Sequence, residues 1–119
     1  MGLDFSHGKA HWSYSGFHRA RCRLALEIGI NFEKMRGIAP YDEALPWEPH
    51  IKTGERIIPL LIHSDCDGYF MPSQCRKIAP RLRELVSKWP DGDGDKIQFL
   101  LLADGMDQAA QERKRFKFM

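Results

Sequence analysis

Apolar residues recur at spacings of three and four in three stretches of the chain, which is the spacing that places side chains on one face of an α-helix. Ser13 or Ser15 can cap the first of these helices, and Gly29 can end it. The buried stripe of this helix is predicted to consist of Phe17, Ala20, Leu24 and Ile28.

The other two stripes predict helices over residues 72–89 and 95–113. Pro80 lies inside the first of them, so either a kink or two abutting helices are expected there. Gly105 weakens the helix propensity of the second. Their apolar positions are Ile78, Leu82, Leu85, Val86 and Trp89 in the one, and Ile97, Leu100, Leu101 and Ala109 in the other.

Short strands are expected between and beside these helices. Residues 57–62 are a continuous apolar run and read as a buried strand, which Pro59 restricts to an edge or a bulge. Residues 10–14 and the tail 115–119 alternate between apolar and polar positions. Residues 31–56 are interrupted by prolines and allow one helical turn. The pattern predicts a helix-dominated α+β fold, with about three main helices and short β-strands in one globular domain, residues 1–119.

Composition supports a folded domain and indicates the cellular compartment in which it is expected. Of the 119 residues, 43% are hydrophobic and 29% are charged, as is usual for globular proteins. The start of the chain lacks the pattern of a signal peptide, and no apolar run is long enough for a membrane span. Three cysteines, an odd number, favour a reducing compartment. We therefore expect a cytoplasmic protein, in the host cytoplasm if it is phage-encoded, with no membrane partner.

Four stretches of the chain have an unusual sequence: residues 2–7 (GLDFSH), 10–17 (AHWSYSGF), 59–68 (PLLIHSDCDG) and 75–85 (CRKIAPRLREL). In these stretches the chain resembles a group of small uncharacterised proteins from phages, prophages and bacterial genomes. The resemblance implies an accessory protein of phage type. It brings no catalytic residue with it.

The loop from His63 to Gln74 resembles an EF-hand calcium loop in part. Asp65, Asp67, Gly68 and Phe70 fall at the third, fifth, sixth and eighth positions of such a loop. His63 stands at the first position in place of Asp, and Gln74 stands at the twelfth in place of the bidentate Glu, so two ligand carboxylates are missing. The alternative is a turn whose aspartates cap the next helix.

The same loop also permits a zinc site. His63, Cys66 and Cys75 are separated by two and eight residues, and a fourth ligand such as His50 would complete a tetrahedron. The alternative for Cys75 is a small buried hydrophobic residue on its helix. No cofactor is expected from the rest of the chain, so calcium and zinc at His63, Asp65, Cys66, Asp67 and Cys75 are the metal hypotheses.

Two surfaces are candidates for binding a macromolecule. The first helix combines Arg19 and Arg23 on one face with Trp12 and Tyr14 nearby, as nucleic-acid binding requires. A second basic cluster, Arg113 to Lys117, marks the tail, although the net charge of only +2 does not imply a polyanionic partner by itself. Trp47 lies on a proline-stiffened loop that suits a protein interface; alternatively it covers the core under that loop.

No nucleophile elbow, phosphate loop, zinc-protease motif or dinucleotide fingerprint occurs in the sequence, so no catalytic residue is assigned. The leading hypothesis is a non-enzymatic, phage- or prophage-type accessory protein that binds a host or phage macromolecule. A protein partner is expected first, and nucleic acid second. The alternative is a metal-binding domain centred on residues 63–75.

Overall fold

The structure is a computed structural model that describes residues 2–119. It confirms the helix-dominated α+β fold, with three long helices and a small antiparallel sheet. A 3-10 turn, Phe32–Lys34, lies between the first two helices. The elements, in chain order, are α1 (Tyr14–Leu26), α2 (Glu48–Lys52), α3 (Ile58–Ile62), β1 (Tyr69–Phe70), α4 (Pro72–Val86), α5 (Gly94–Gln111) and β2 (Phe116–Lys117).

Helix α1 begins and is buried as its sequence predicts. The Oγ atom of Ser13 accepts a hydrogen bond from the backbone N–H of Gly16 at 3.0 Å, which satisfies one of the free donors of the first turn. Phe17, Ala20 and Leu24 are completely buried, whereas Ile28 of the predicted stripe lies beyond the end of α1 and is only partly buried. Gly29 follows the end of the helix with a φ of 77°, a conformation that favours glycine. Helix α1 therefore packs its apolar face against the core, and its polar residues face the adjoining segments of the chain.

Helices α4 and α5 pack against each other and form the centre of the fold. Helix α4 is one helix across Pro80 rather than two abutting helices, and it ends at Val86, before the predicted end at Trp89. Asp93 caps α5, since its Oδ1 accepts a hydrogen bond from the N–H of Lys96 at 3.0 Å. The ammonium group of Lys96 in turn donates to the carbonyl of Trp89 at 2.7 Å.

The strand predicted over residues 57–62 is wrong, because these residues form the helix α3. Pro59 lies in the first turn of α3. A backbone N–H at this position has no acceptor within the helix, so the missing N–H of proline costs no hydrogen bond. Ile57, Ile58, Leu60 and Leu61 are all buried. A short continuous apolar run has the same pattern in a strand and in a helix, so periodicity could not distinguish them.

The sheet joins the two ends of the chain to the loop after α3. In β1 and β2, Tyr69 pairs with Lys117 and Phe70 pairs with Phe116. On the other side of the tail, Phe5 forms an antiparallel bridge with Phe118. The predicted strand of the tail is therefore found at β2, but its predicted edge position is wrong, because the tail is hydrogen-bonded to β1 on one side and to the N-terminal segment on the other. The predicted strand over 10–14 is reduced to a single bridged pair, Leu3 with Trp12.

No helix in residues 2–119 combines the length and the apolar character needed to cross a membrane.

Candidate functional site

His63 has a packing role in the structure. Its ring stacks on Phe118, with 4.0 Å between the ring centroids, and lies 4.6 Å from the ring of Phe70. Its Nδ1 is 2.9 Å from the carbonyl oxygen of Ser64, and its Nε2 is 3.4 Å from that of Tyr69. The imidazole thus covers the aromatic cluster beneath the sheet.

The other predicted metal ligands differ in how deeply they are buried, and they do not form a cluster. Asp65 is half-buried, whereas Cys66 and Asp67 are exposed on the turn. Cys75 is fully buried on α4, where burial and the nearby Asp107 raise the pKa of its thiol to about 11. In the described chain, no three of these five ligands bring their ligand atoms within 4.8 Å of one another. Metal binding by this loop stays a prediction.

The predicted macromolecule-binding residues do not form one exposed surface either. Trp12 and Trp47 are buried. The indole N–H of Trp47 donates to the carbonyl of Arg36 at 3.0 Å, so Trp47 covers the core under its loop. Arg23 is held by Asp93 and Asp95. Of the five, Tyr14 and Arg19 remain exposed.

Arg21 lies on α1 and is buried, with only 7% of it exposed. Its Nη1 donates to the carbonyls of Leu60, Leu61 and His63, at 3.4, 3.1 and 2.7 Å, and so caps the end of α3. Burial lowers the pKa of the guanidinium, an effect that the charge of Asp65 partly offsets. Arg21 also lines a cleft of about 460 Å³ between α1, the loop after the 3-10 turn and the end of α3.

Three side chains with metal-ligand chemistry meet beside this cleft. A ring nitrogen of His18, the Sγ atom of Cys22 and a carboxylate oxygen of Glu33 all lie within 4.8 Å of one another. His18 and Cys22 are half-buried on one face of α1, and Glu33 is exposed on the 3-10 turn. His18 also lines the cleft. The spacing of four between His18 and Cys22 was visible in the sequence, but the approach of Glu33 depends on the turn after α1.

A second cleft, of about 310 Å³, lies between the N-terminal segment and the tail. Lys114, Arg115 and Lys117 line it together with Ser6 and His7. The inward positions of the tail, Phe116 and Phe118, are buried, whereas Arg115 and Lys117 alternate with them and are exposed. We call Arg113, Lys114, Arg115, Lys117 and Tyr69 the basic face.

The backbone of the basic face is held on both sides. The N–H of Ser6 donates to the carbonyl of Lys117 at 3.0 Å, and the N–H of Lys117 donates to the hydroxyl of Ser6 at 2.9 Å. On the opposite side, the N–H of Phe118 donates to the carbonyl of Gly68 at 3.0 Å. The guanidinium of Arg115 lies over the ring of Tyr69, 4.5 Å from its centroid. These cations therefore belong to an ordered surface.

Compared with protein-family models, with curated proteins and with solved structures, the chain matches none of them.

Proposed function

We propose that the protein is a non-enzymatic accessory protein that binds single-stranded nucleic acid through the basic face. The observation that carries the proposal is a set of four neighbouring exposed cations, of which Arg115 and Lys117 lie on a tail whose backbone is fixed by hydrogen bonds on both sides. Cations that track a phosphate backbone beside an exposed aromatic ring are the usual means of binding single strands without sequence preference.

The distribution of ion pairs supports this choice of surface. Five arginines elsewhere are paired with carboxylates: Arg23, Arg36, Arg56, Arg81 and Arg83. On the basic face, the contact between Lys114 and Glu112 is long, at 3.8 Å. A small net charge is thus compatible with a local excess of positive charge on the basic face, because carboxylates neutralise these five arginines elsewhere.

Tyr69 supplies the aromatic component. Its ring is 45% exposed, and its residue pairs with Lys117 across the sheet. A base could stack on the part of the ring that Arg115 leaves open, while the phosphates lie along Arg115 and Lys117. Of the two aromatic residues that the sequence offered for this role, Trp12 is buried in the core, whereas Tyr14 is exposed on α1.

The phage-type origin is a separate part of the proposal and rests on the resemblance of the four sequence stretches. The sequence pattern favoured a protein partner first, on the expectation that Trp47 is exposed. Trp47 is buried, so this support for a protein partner is removed. We propose that the protein acts in the cytoplasm, in that of the host if a phage encodes it.

The test is fluorescence anisotropy of labelled single-stranded DNA and RNA over a series of salt concentrations. Three phosphate contacts give a slope of about −2 in a plot of log K against log salt. The triple variant Lys114→Gln, Arg115→Gln, Lys117→Gln should abolish most of the binding and flatten this slope. The matched control removes three exposed lysines elsewhere (Lys52→Gln, Lys77→Gln, Lys88→Gln) and should bind like the wild type.

Absence of binding at low salt, or equal losses in the two triple variants, would overturn the proposal. Capture of a protein instead of nucleic acid would also contradict it. Tyr69→Ala should weaken binding more than Tyr69→Phe, because the phenylalanine ring keeps the stacking surface.

A further inference from the structure

We infer that His18, Cys22 and Glu33 form a binding site for a single zinc ion, at residues different from those that the sequence pattern suggested. Thiolate, imidazole and carboxylate are the three ligand types that zinc accepts in proteins. The three ligand atoms already lie within 4.8 Å of one another. The inference does not depend on nucleic-acid binding, since it rests on another part of the molecule.

The distance between the two ligands of α1 fits a shared ion. The Nε2 atom of His18 is 3.7 Å from the Sγ atom of Cys22. For tetrahedral zinc with ordinary Zn–N and Zn–S bonds, two such ligand atoms are separated by about 3.6 Å. Residues four apart on a helix share one face, so this separation follows from the backbone of α1 itself.

The third ligand is held in place by the turn that follows α1. The side chain of Asn31 accepts a hydrogen bond from the backbone N–H of Glu33 at 3.2 Å, and Phe32 is buried beside it. The ring of Phe32 lies 5.5 Å from the ring of His18. Glu33 is exposed and forms no ion pair with the described residues, so a modest side-chain rotation can bring its carboxylate onto the ion.

The charges around the cluster favour a divalent cation. Burial and the nearby carboxylate of Glu33 raise the pKa of the Cys22 thiol, whereas Arg21 partly offsets them. Zinc binding would release the thiol proton to solvent, form the Zn–S bond and compensate the charges of the thiolate and of the Glu33 carboxylate. Calcium would not be retained, because a sulfur and an imidazole nitrogen are poor ligands for it.

Three protein ligands leave the fourth position of a tetrahedral ion for water. The site is thus of the open kind, and an external ligand can exchange there. His18 belongs both to the cluster and to the wall of the 460 Å³ cleft.

The experiment is a titration of the chelator-treated full chain with Co²⁺, followed by displacement with Zn²⁺. We expect one cobalt per chain and a near-ultraviolet charge-transfer band from thiolate to cobalt. Cys22→Ser should remove the band, and the matched variant Cys66→Ser should keep it. His18→Gln and Glu33→Gln should each lower the affinity for cobalt by at least about tenfold.

A thiolate band that is absent in the wild type would overturn the inference. A band that survives Cys22→Ser and disappears in Cys66→Ser would overturn the inference as well. It would show that the metal binds in the loop after α3. If Cys22→Ser fails to fold, the inference is tested by alkylation of the wild-type protein with and without zinc. Zinc must protect Cys22 from alkylation and must leave Cys66 reactive, as identified by peptide mass.

Discussion

The Nη2 atom of Arg23 donates to Asp93 at 2.9 Å, while its Nη1 donates to Asp95 at 2.8 Å, so a single guanidinium ties α1 to the beginning of α5. The same guanidinium lies 4.1 Å from the centroid of a Trp89 ring. Asp95 also accepts a hydrogen bond from the indole N–H of Trp12 at 3.3 Å. Two residues that the sequence offered for nucleic-acid binding, Arg23 and Trp12, are thus held within one structural network.

This network predicts a pH-dependent stability. Hydrogen bonding by Arg23 lowers the pKa of Asp93 from 3.8 to about 2. Because the pKa is lower in the folded protein, the Asp93 carboxylate stabilises the fold above about pH 4, and this contribution is lost as the pH falls through 2. In Arg23→Gln, we expect a loss of stability at pH 5 that becomes smaller toward pH 2, as measured by urea unfolding at each pH.

Arg19→Gln is the control for this experiment, since Arg19 is exposed on the same helix. Its stability difference from the wild type should be small and independent of pH. A deficit of Arg23→Gln that is the same at pH 5 and pH 2 would show that Asp93 is not the group that responds.

Replacement of the buried Arg21 should be among the most destabilising changes on α1. Arg21→Met keeps much of the side-chain volume but removes the donor to three carbonyls at the end of α3. Loss of hydrogen bonds from a charged group, with buried acceptors left behind, is expected to cost about 3 kcal/mol. Urea unfolding measures this change. Arg19→Met should stay within about 0.5 kcal/mol of the wild type, and an equal effect of the two substitutions would contradict the capping role.

The long helices could be predicted because a helical stripe is a local pattern. Phe17, Ala20 and Leu24 occupy the buried face of α1 that their spacing indicates. The predicted face of α5 was nevertheless wrong in part: Phe99, Leu102 and Met106 are buried, whereas Ile97 is exposed and Leu100 and Leu101 are half-buried. The apolar pattern of residues 57–62 alone could not distinguish a helix from a strand, since a short continuous apolar run occurs in both. The proline in the first turn of α3 is the signal that favoured the helix.

The partners of Arg21 and Arg23 could not be predicted from the sequence pattern, for a different reason. Arg21 reaches carbonyls 39 to 42 positions away, and Arg23 reaches carboxylates 70 and 72 positions away. Partners so distant along the chain are brought near by the packing of α1 on α3 and α5. The tail was more predictable, because the alternation of Arg115, Phe116, Lys117 and Phe118 already indicated which side chains face outward.

Gly105 is predicted to be essential for close packing, although glycine weakens a helix. A Cβ atom at Gly105 would meet the carbonyl oxygen of His7 and lie 3.0 Å from its carbon. Gly8, with a φ of 79°, approaches the same point from the N-terminal segment. We expect Gly105→Ala to destabilise the protein by about 1–2 kcal/mol, because the cost of overpacking exceeds the gain in helix propensity of up to about 1 kcal/mol.

The matched substitution is Gly94→Ala in the first turn of the same helix, where an added Cβ meets nothing within 4 Å. Gly94→Ala should leave the melting temperature unchanged or raise it. If Gly105→Ala also raised the melting temperature, the N-terminal segment would not be packed against α5 in solution.

The three cysteines should react with a thiol reagent at three different rates. Cys66 is exposed, Cys22 is half-buried with a raised pKa, and Cys75 is fully buried with a pKa of about 11. Because the thiolate is the reactive form, Ellman's reagent at neutral pH should modify Cys66 rapidly, Cys22 slowly and Cys75 only after denaturation. Cys66→Ser should remove the rapid phase and leave the other two unchanged. A Cys75 that reacts in the native protein would mean that α4 opens away from α5, and the wild type would then lose all three thiols at comparable rates.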